Sequence, residues 1–243
     1  MKTRLKLVMI LFITLAGSSY GQSIVGLTGG YSKSEFFDNA VSSPYYGTYK
    51  SPASYCITAF LKQRTQNHIN FCSELSFVNK VLNLKASYGG LGSGTHRDVN
   101  YHLNYVYVSI FPELSIGKRY TFNFSVGPSL GYLVKSRMGG TSSYWDMEQN
   151  DYTWTEDGNA KSDFKAFEFR MFASIGLEIP IKNKFRISID NAYSRGFTNA
   201  ANNGLGNAAI FLSSKDITVT LGIIYTLDNF SYSNIFRRHS DKL

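Results

Sequence analysis

Long apolar runs are what this chain lacks. Beyond its first sixteen residues nothing approaches the roughly 18 apolar residues of a membrane-spanning helix, so a helical membrane protein is excluded for the remainder. Only two cysteines occur, Cys56 and Cys72, and only four histidines, His68, His96, His102 and His239. No calcium-loop spacing is present. The glycines of 88–98 carry no Gly-Lys-Ser/Thr and precede no helix, so they form no phosphate cradle. Neither a metal nor a cofactor is expected.

What is present begins with an export signal over residues 1–21. Lys2, Arg4 and Lys6 precede the apolar run Leu7 to Ala16, and Ser19 and Gly21 stand where a signal peptidase reads small residues. Cleavage after Gly21 leaves Gln22 as the mature N-terminus. Ten apolar residues are too few for an anchor that spans a bilayer. Removal of the three cations lowers the formal charge from +8 to +5. For an exported chain, anionic lipid headgroups fit that charge better than nucleic acid does.

The rest alternates with a period of two. From Tyr120 to Val134 the even positions read Tyr120, Phe122, Phe124, Val126, Pro128, Leu130, Tyr132 and Val134. The odd ones read Thr121, Asn123, Ser125, Gly127, Ser129 and Gly131, with Leu133 as the exception. Fifteen such residues make a strand longer than most globular sheets use. Seven further segments alternate in the same way, near 24–32, 55–62, 69–78, 101–116, 167–179, 185–193 and 217–227. Short turns at 64–68, 117–119 and 180–184 alternate with long connections at 33–54, 79–100, 135–165 and 196–215.

Eight strands with short turns at one end and long loops at the other predict an antiparallel up-and-down transmembrane β-barrel over 22–227. Its location is then the bacterial outer membrane. The rival, a soluble lipocalin-like barrel, requires a charged outer face. The second face here is mostly Gly, Ser, Thr and Asn, which suits a narrow packed lumen. Pro112 and Pro128 oppose central strands, because proline cannot donate to a ladder. A bulge or a strand end would accommodate each.

Parity places Lys62, Glu74, Glu113, Glu168, Arg170, Glu178, Arg186 and Asp190 in that lumen. Turn centres at 65, 118 and 182 set Glu178 opposite Arg186, Glu113 opposite Asn123 and Ser115 opposite Thr121. An eight-stranded interior is only wide enough for side chains, so these charges read as a salt-bridged plug rather than an ion path. The same register sets Thr58 opposite Cys72 and Cys56 opposite Glu74. The thiols then lie diagonally, about 7–8 Å apart at Cα. That leaves a disulfide open and favours two free buried thiols.

Among the loops, the third is the most distinctive. It holds Tyr144, Trp145, Asp146, Glu148, Asp151, Tyr152 and Trp154, followed by Glu156 and Asp157. Aromatic faces beside carboxylates suit a sugar, a cation or a basic partner surface. A loop that packs its own rings is the alternative. Arg97, Lys135 and Arg137 fall near the outer rim, where they meet either lipopolysaccharide phosphates or only solvent. The basic tail, 228–243, is either a periplasmic contact or a free end.

The segment Tyr105 to Val134, with Phe111-Pro112-Glu113-Leu114, a Gly-Lys-Arg turn and Gly127-Pro128-Ser129-Leu130-Gly131-Tyr132, resembles the outer-membrane β-barrel domain of Bacteroidota, which includes the PorT-like barrels. The segment Gly222 to Leu227 is similar to that family's last strand, with Leu227 where an aromatic is usual. The resemblance implies a fold and a location. It carries no catalytic residues.

The expected role is therefore non-catalytic: surface binding, or support of an outer-membrane assembly through loops or tail. Two alternatives stand beside it. A lipid A-modifying enzyme needs a histidine with a serine or carboxylate at the outer leaflet; His102 has that depth, but the register sets Val134 opposite it. Small-solute or ion passage needs an open lumen.

Overall fold

The computed structural model describes residues 22–38, 46–64, 68–90, 92–146, 151–198 and 212–227. Ten strands occur among them: β1 (Gln22–Asp38), β2 (Tyr46–Lys50), β3 (Ala53–Arg64), β4 (Ile69–Gly90), β5 (Ser93–Ile116), β6 (Thr121–Asp146), β7 (Asp151–Gly158), β8 (Phe167–Lys182), β9 (Phe185–Gly196) and β10 (Leu212–Thr226). Eight of them close a ring in the order β1-β3-β4-β5-β6-β8-β9-β10, with every neighbour antiparallel. The first and last strands pair from Ile24↔Thr226 to Asp38↔Leu212, which seals the barrel. The signal segment and the tail fall outside the described residues.

Alternation explains the wall. Along β6, burial and exposure alternate without a break from Thr121 to Val134. Phe122, Phe124, Val126 and Leu130 are 47–56% exposed on the outer face. Equivalent rings and aliphatic chains clad the other barrel strands. Such an apolar girdle far exceeds the patches of a soluble monomer and matches the lipid-facing band of a membrane barrel. Leu133, the odd one in its row, is fully buried.

Close approach explains the inward glycines. A Cβ on Gly131 would run into the Tyr107 ring, and one on Gly127 would meet Phe111. Each glycine leaves room for an aromatic of the neighbouring strand. The prolines need neither a bulge nor a strand end. Pairing of β5 with β6 runs to Ser109↔Ser129, lapses, and resumes in the same register at Glu113↔Ser125. Pro112 and Pro128 both fall in that lapse, while their other edges stay paired as Phe71↔Pro112 and Pro128↔Met171. The two missing donors therefore share one seam.

Two features depart from the sequence reading. Hairpin registers are shifted by even numbers of residues. Thr58 faces Ser76, Cys56 faces Val78 and Cys72 faces Lys62. Glu113 faces Ser125 and Ser115 faces Asn123. Glu178 faces Ser188, because the ladder is irregular between Pro180 and Lys182. Both cysteines are free and buried.

The second departure is above the barrel. Segments 79–100 and 135–165, read as loops, are mostly strand. β4 and β5 pair without interruption up to Gly90↔Ser93. β2 adds to β4, and β7 adds to β6. One side of the barrel thus rises as a five-stranded sheet, β2-β4-β5-β6-β7. After β7 the chain returns across its base. Ala160 and Phe164 are buried there, Phe164 stands edge-on to Tyr101 at 5.2 Å, and Leu133 N donates to Ala166 O at 2.8 Å.

Candidate functional site

The luminal charges form two clusters rather than one row. In the lower cluster, near the short turns, Lys62 Nζ lies 2.5 Å from both Glu113 Oε1 and Glu178 Oε1. Glu178 also takes Arg186 Nε at 3.3 Å, Arg64 Nη2 at 3.4 Å and Asn123 Nδ2 at 2.8 Å. Asn70 and Ser115 donate to Glu113 at 3.2 and 3.0 Å. Arg186 and Glu178 meet as expected, but diagonally.

The upper cluster contains residues that sequence reasoning missed. Lys80, on β4, lies 2.9 Å from Glu168 Oε2 and 3.0 Å from Asp216 Oδ2. Arg170 reaches Asp216 at 3.2 Å. Its guanidinium stacks 3.5 Å above the Tyr107 ring, whose hydroxyl donates to Glu168. Lys80 shares parity with Cys72 and Glu74, and Asp216 shares it with Thr218 and Thr220. Two more residues of alternation would have found both.

Glu74 and Asp190, also expected in the lumen, face a cavity of about 100 Å3 that both clusters border. Cys56 and Cys72 line it too. Its size and the polar groups in its mixed lining suit a few ordered waters. Above the upper cluster the lumen turns apolar. Leu82 and Leu84 follow Lys80 on β4, and Leu103, Tyr101 and Val99 follow Tyr105 on β5, all buried with Phe164. Ion pairs this deep are strongly coupled, since loss of one partner strands a charge in low dielectric. Salt-bridged side chains and the buried apolar cluster thus occupy much of the described lumen, with the cavity between the two charge clusters.

The outer hairpin, β6–β7, carries most of the aromatic residues singled out in the sequence. Tyr144 pairs with Tyr152, Trp145 with Asp151, and Ser142 with Trp154. Paired residues share a face, so Trp145 and Trp154 sit on opposite faces of the sheet. Trp145, Tyr152 and Trp154 are 46%, 60% and 46% exposed. Asp146 pairs with Ser93. Glu148 lies outside the described residues.

Arg97 is not a rim cation. It turns to the inner face, where its Nη2 lies 2.5 Å from Glu156 Oε2 and Ser142 Oγ donates to Glu156 as well. Partial burial alone would raise the Glu156 carboxyl. The Arg97 and Ser142 hydrogen bonds and the Arg97 charge outweigh it and hold the group below its ordinary value. Lys135 and Arg137 are exposed outward, opposite Asn104 and His102. His102 therefore faces Arg137, not Val134. A second histidine makes a serine contact that the sequence did not signal, Ser87 Oγ to His96 Nδ1 at 2.9 Å. Beside it Asp98 is engaged by Lys85 at 2.6 Å.

The fold is similar to Ail, the attachment invasion locus protein of Yersinia pestis, at 12% identity over 85% of this chain and 100% of that one, TM-score 0.39. It is similar to the outer membrane protein OprG from Pseudomonas aeruginosa at 6% identity, over 86% and 98%, TM-score 0.45. The outer membrane protease OmpT from Escherichia coli aligns at 8% identity, over 85% and 97%, TM-score 0.38. No curated protein sequence matches. The family model described as outer membrane protein beta-barrel domain matches residues 19–202. The chain belongs to that outer-membrane β-barrel family, and its place is the bacterial outer membrane.

Proposed function

We propose that this barrel is a non-catalytic binding protein of the outer membrane, whose lumen is structural and whose extracellular sheet engages a partner. The observation that carries this reading is the hairpin of β6 and β7. It holds Trp145, Tyr152 and Trp154 exposed on regular strands outside the lipid-facing band. Exposed aromatic side chains on a rigid element are the usual anchors of an interface. The role is surface binding or support of an outer-membrane assembly. In the assembly form the basic tail supplies a periplasmic contact.

Lipopolysaccharide is the second ligand. Lys135 and Arg137 stand just above Tyr132 and Val134, at the level where phosphates meet the apolar band. The enzyme reading is less well supported. His102 neighbours Val81 and Arg137 rather than a carboxylate, and Asp98, two positions along β5 from His96, is tied to Lys85. Solute passage is opposed by the apolar layer over the lumen.

In-situ crosslinking followed by mild-detergent purification tests the proposal. A stoichiometric partner, lost when 144–157 is shortened while the barrel still inserts, is the expected result. A barrel recovered alone, with a lipid A profile that changes when the gene is lost, overturns it.

A further inference from the structure

The extracellular sheet has two outer edges, and they are built differently. β2 is a five-residue strand that ends in Lys50 and is followed two residues later by Pro52. Short length, lysine and proline are standard protections of a sheet edge. β7 has none of these. It runs for eight residues, Asp-Tyr-Thr-Trp-Thr-Glu-Asp-Gly, with no proline, no lysine or arginine, and no shift in its register with β6. Among the described strands β7 pairs with β6 alone. Among the described residues, one row of its backbone donors and acceptors therefore has no strand partner. Glu156, bonded to Arg97 and Ser142, clamps the strand to the sheet. The edge is presented ready-formed.

The side chains discriminate among occupants. Asp151, Thr153, Thr155 and Asp157 share one face, and Tyr152 and Trp154 share the other with Glu156. A second copy pairing in parallel and in register sets Asp151 beside Asp151 and Asp157 beside Asp157. Antiparallel pairing centred on Trp154 sets Asp151 against Asp157 twice. Like charges directly opposite are destabilising in either case. The acids thus act against self-association, and they favour cations six residues apart on one face of an incoming strand. The opposite face of that strand meets the Tyr152 and Trp154 rings, which accept apolar side chains.

We infer that the free edge of β7 takes an extended, basic segment of a partner protein as an added strand, with main-chain hydrogen bonds to β7 and arginine or lysine over Asp151 and Asp157. This rests on the reading that the outer hairpin binds a partner. It adds how the hairpin binds and what charge the ligand carries.

The test uses the full barrel in zwitterionic nanodiscs and the synthetic peptide Arg-Val-Thr-Ile-Thr-Val-Arg at millimolar concentration. The control is a peptide of the same composition with its arginines adjacent. Amide hydrogen exchange over 151–158 is read by mass spectrometry. The expected result is a slowing of roughly threefold or more with the first peptide only, lost in Asp151→Asn/Asp157→Asn and at high salt. Binding seen by tryptophan fluorescence without slower β7 exchange overturns the edge inference and leaves the proposed function standing. No slowing at all, with a native crosslink still dependent on 144–157, does the same. Native crosslinks unaffected by shortening 144–157 overturn the reading beneath it.

Discussion

Lys80 and Asp216 meet inside the barrel, Nζ to Oδ2 at 3.0 Å, with both side chains buried. They come from β4 and β10, strands that are not neighbours in the wall, so the pair bridges the lumen. Glu168 and Arg170 complete the same cluster from β8. Replacement of Lys80 by Met removes the cation shared by two buried carboxylates, leaves Arg170 alone to balance both, and should cost about 3–5 kcal/mol. Denaturant unfolding in micelles measures it. Adding Glu168→Gln and Asp216→Asn should restore much of the loss, and failure to do so argues against the cluster as the cause.

Gly131→Ala should destabilise the barrel by about 1–3 kcal/mol, because the new methyl overlaps the Tyr107 ring. Gly139→Ala, where nothing lies within 4 Å of the added carbon, is the comparison. Equal stability of the two variants would contradict the packing described.

Purified barrel in planar bilayers should show no stable large conductance. Two charge clusters and the layer of Leu82, Leu103, Tyr101 and Phe164 narrow the path to a small internal cavity. A steady channel of porin size would refute the plugged lumen.

Cys56 and Cys72 should resist maleimide in the folded barrel and react after denaturation, since both are buried and their strand positions are far from bridging. Non-reducing electrophoresis should show no intramolecular crosslink.

Docking of β7 should weaken in acid. The Glu156 carboxyl titrates below its ordinary value when folded. Its contribution is full above the unfolded value near about 4.3 and falls away as pH drops through the lower folded value. Amide exchange of β7 should quicken on acidification beyond the intrinsic pH effect. Arg97→Ala should remove that extra response.

The Arg186–Glu178 contact illustrates how much of the site was readable. Parity identifies both as luminal, and they do touch, but the ladder sets Glu178 opposite Ser188 and Arg186 opposite Pro180, so the contact is diagonal. Any even shift of a hairpin keeps every side chain on its own face. Alternation therefore reports inside against outside and is silent on which residues face each other. That is why the cysteines were expected near a diagonal and lie opposite Lys62 and Val78 instead.

The eight strands, their apolar face and the barrel class were determined by sequence alone, because lipid on one side and a packed lumen on the other impose a period of two that local composition records. Only the tertiary structure decided the partners of Lys80 and Asp216, the shared seam of Pro112 and Pro128, and the sheet that rises from β4, β5 and β6. Above the membrane both faces of a strand tolerate polar residues, so alternation fades where the strands continue. Pairing there is set by backbone hydrogen bonds and cross-strand contacts, which become visible only once the chain is folded.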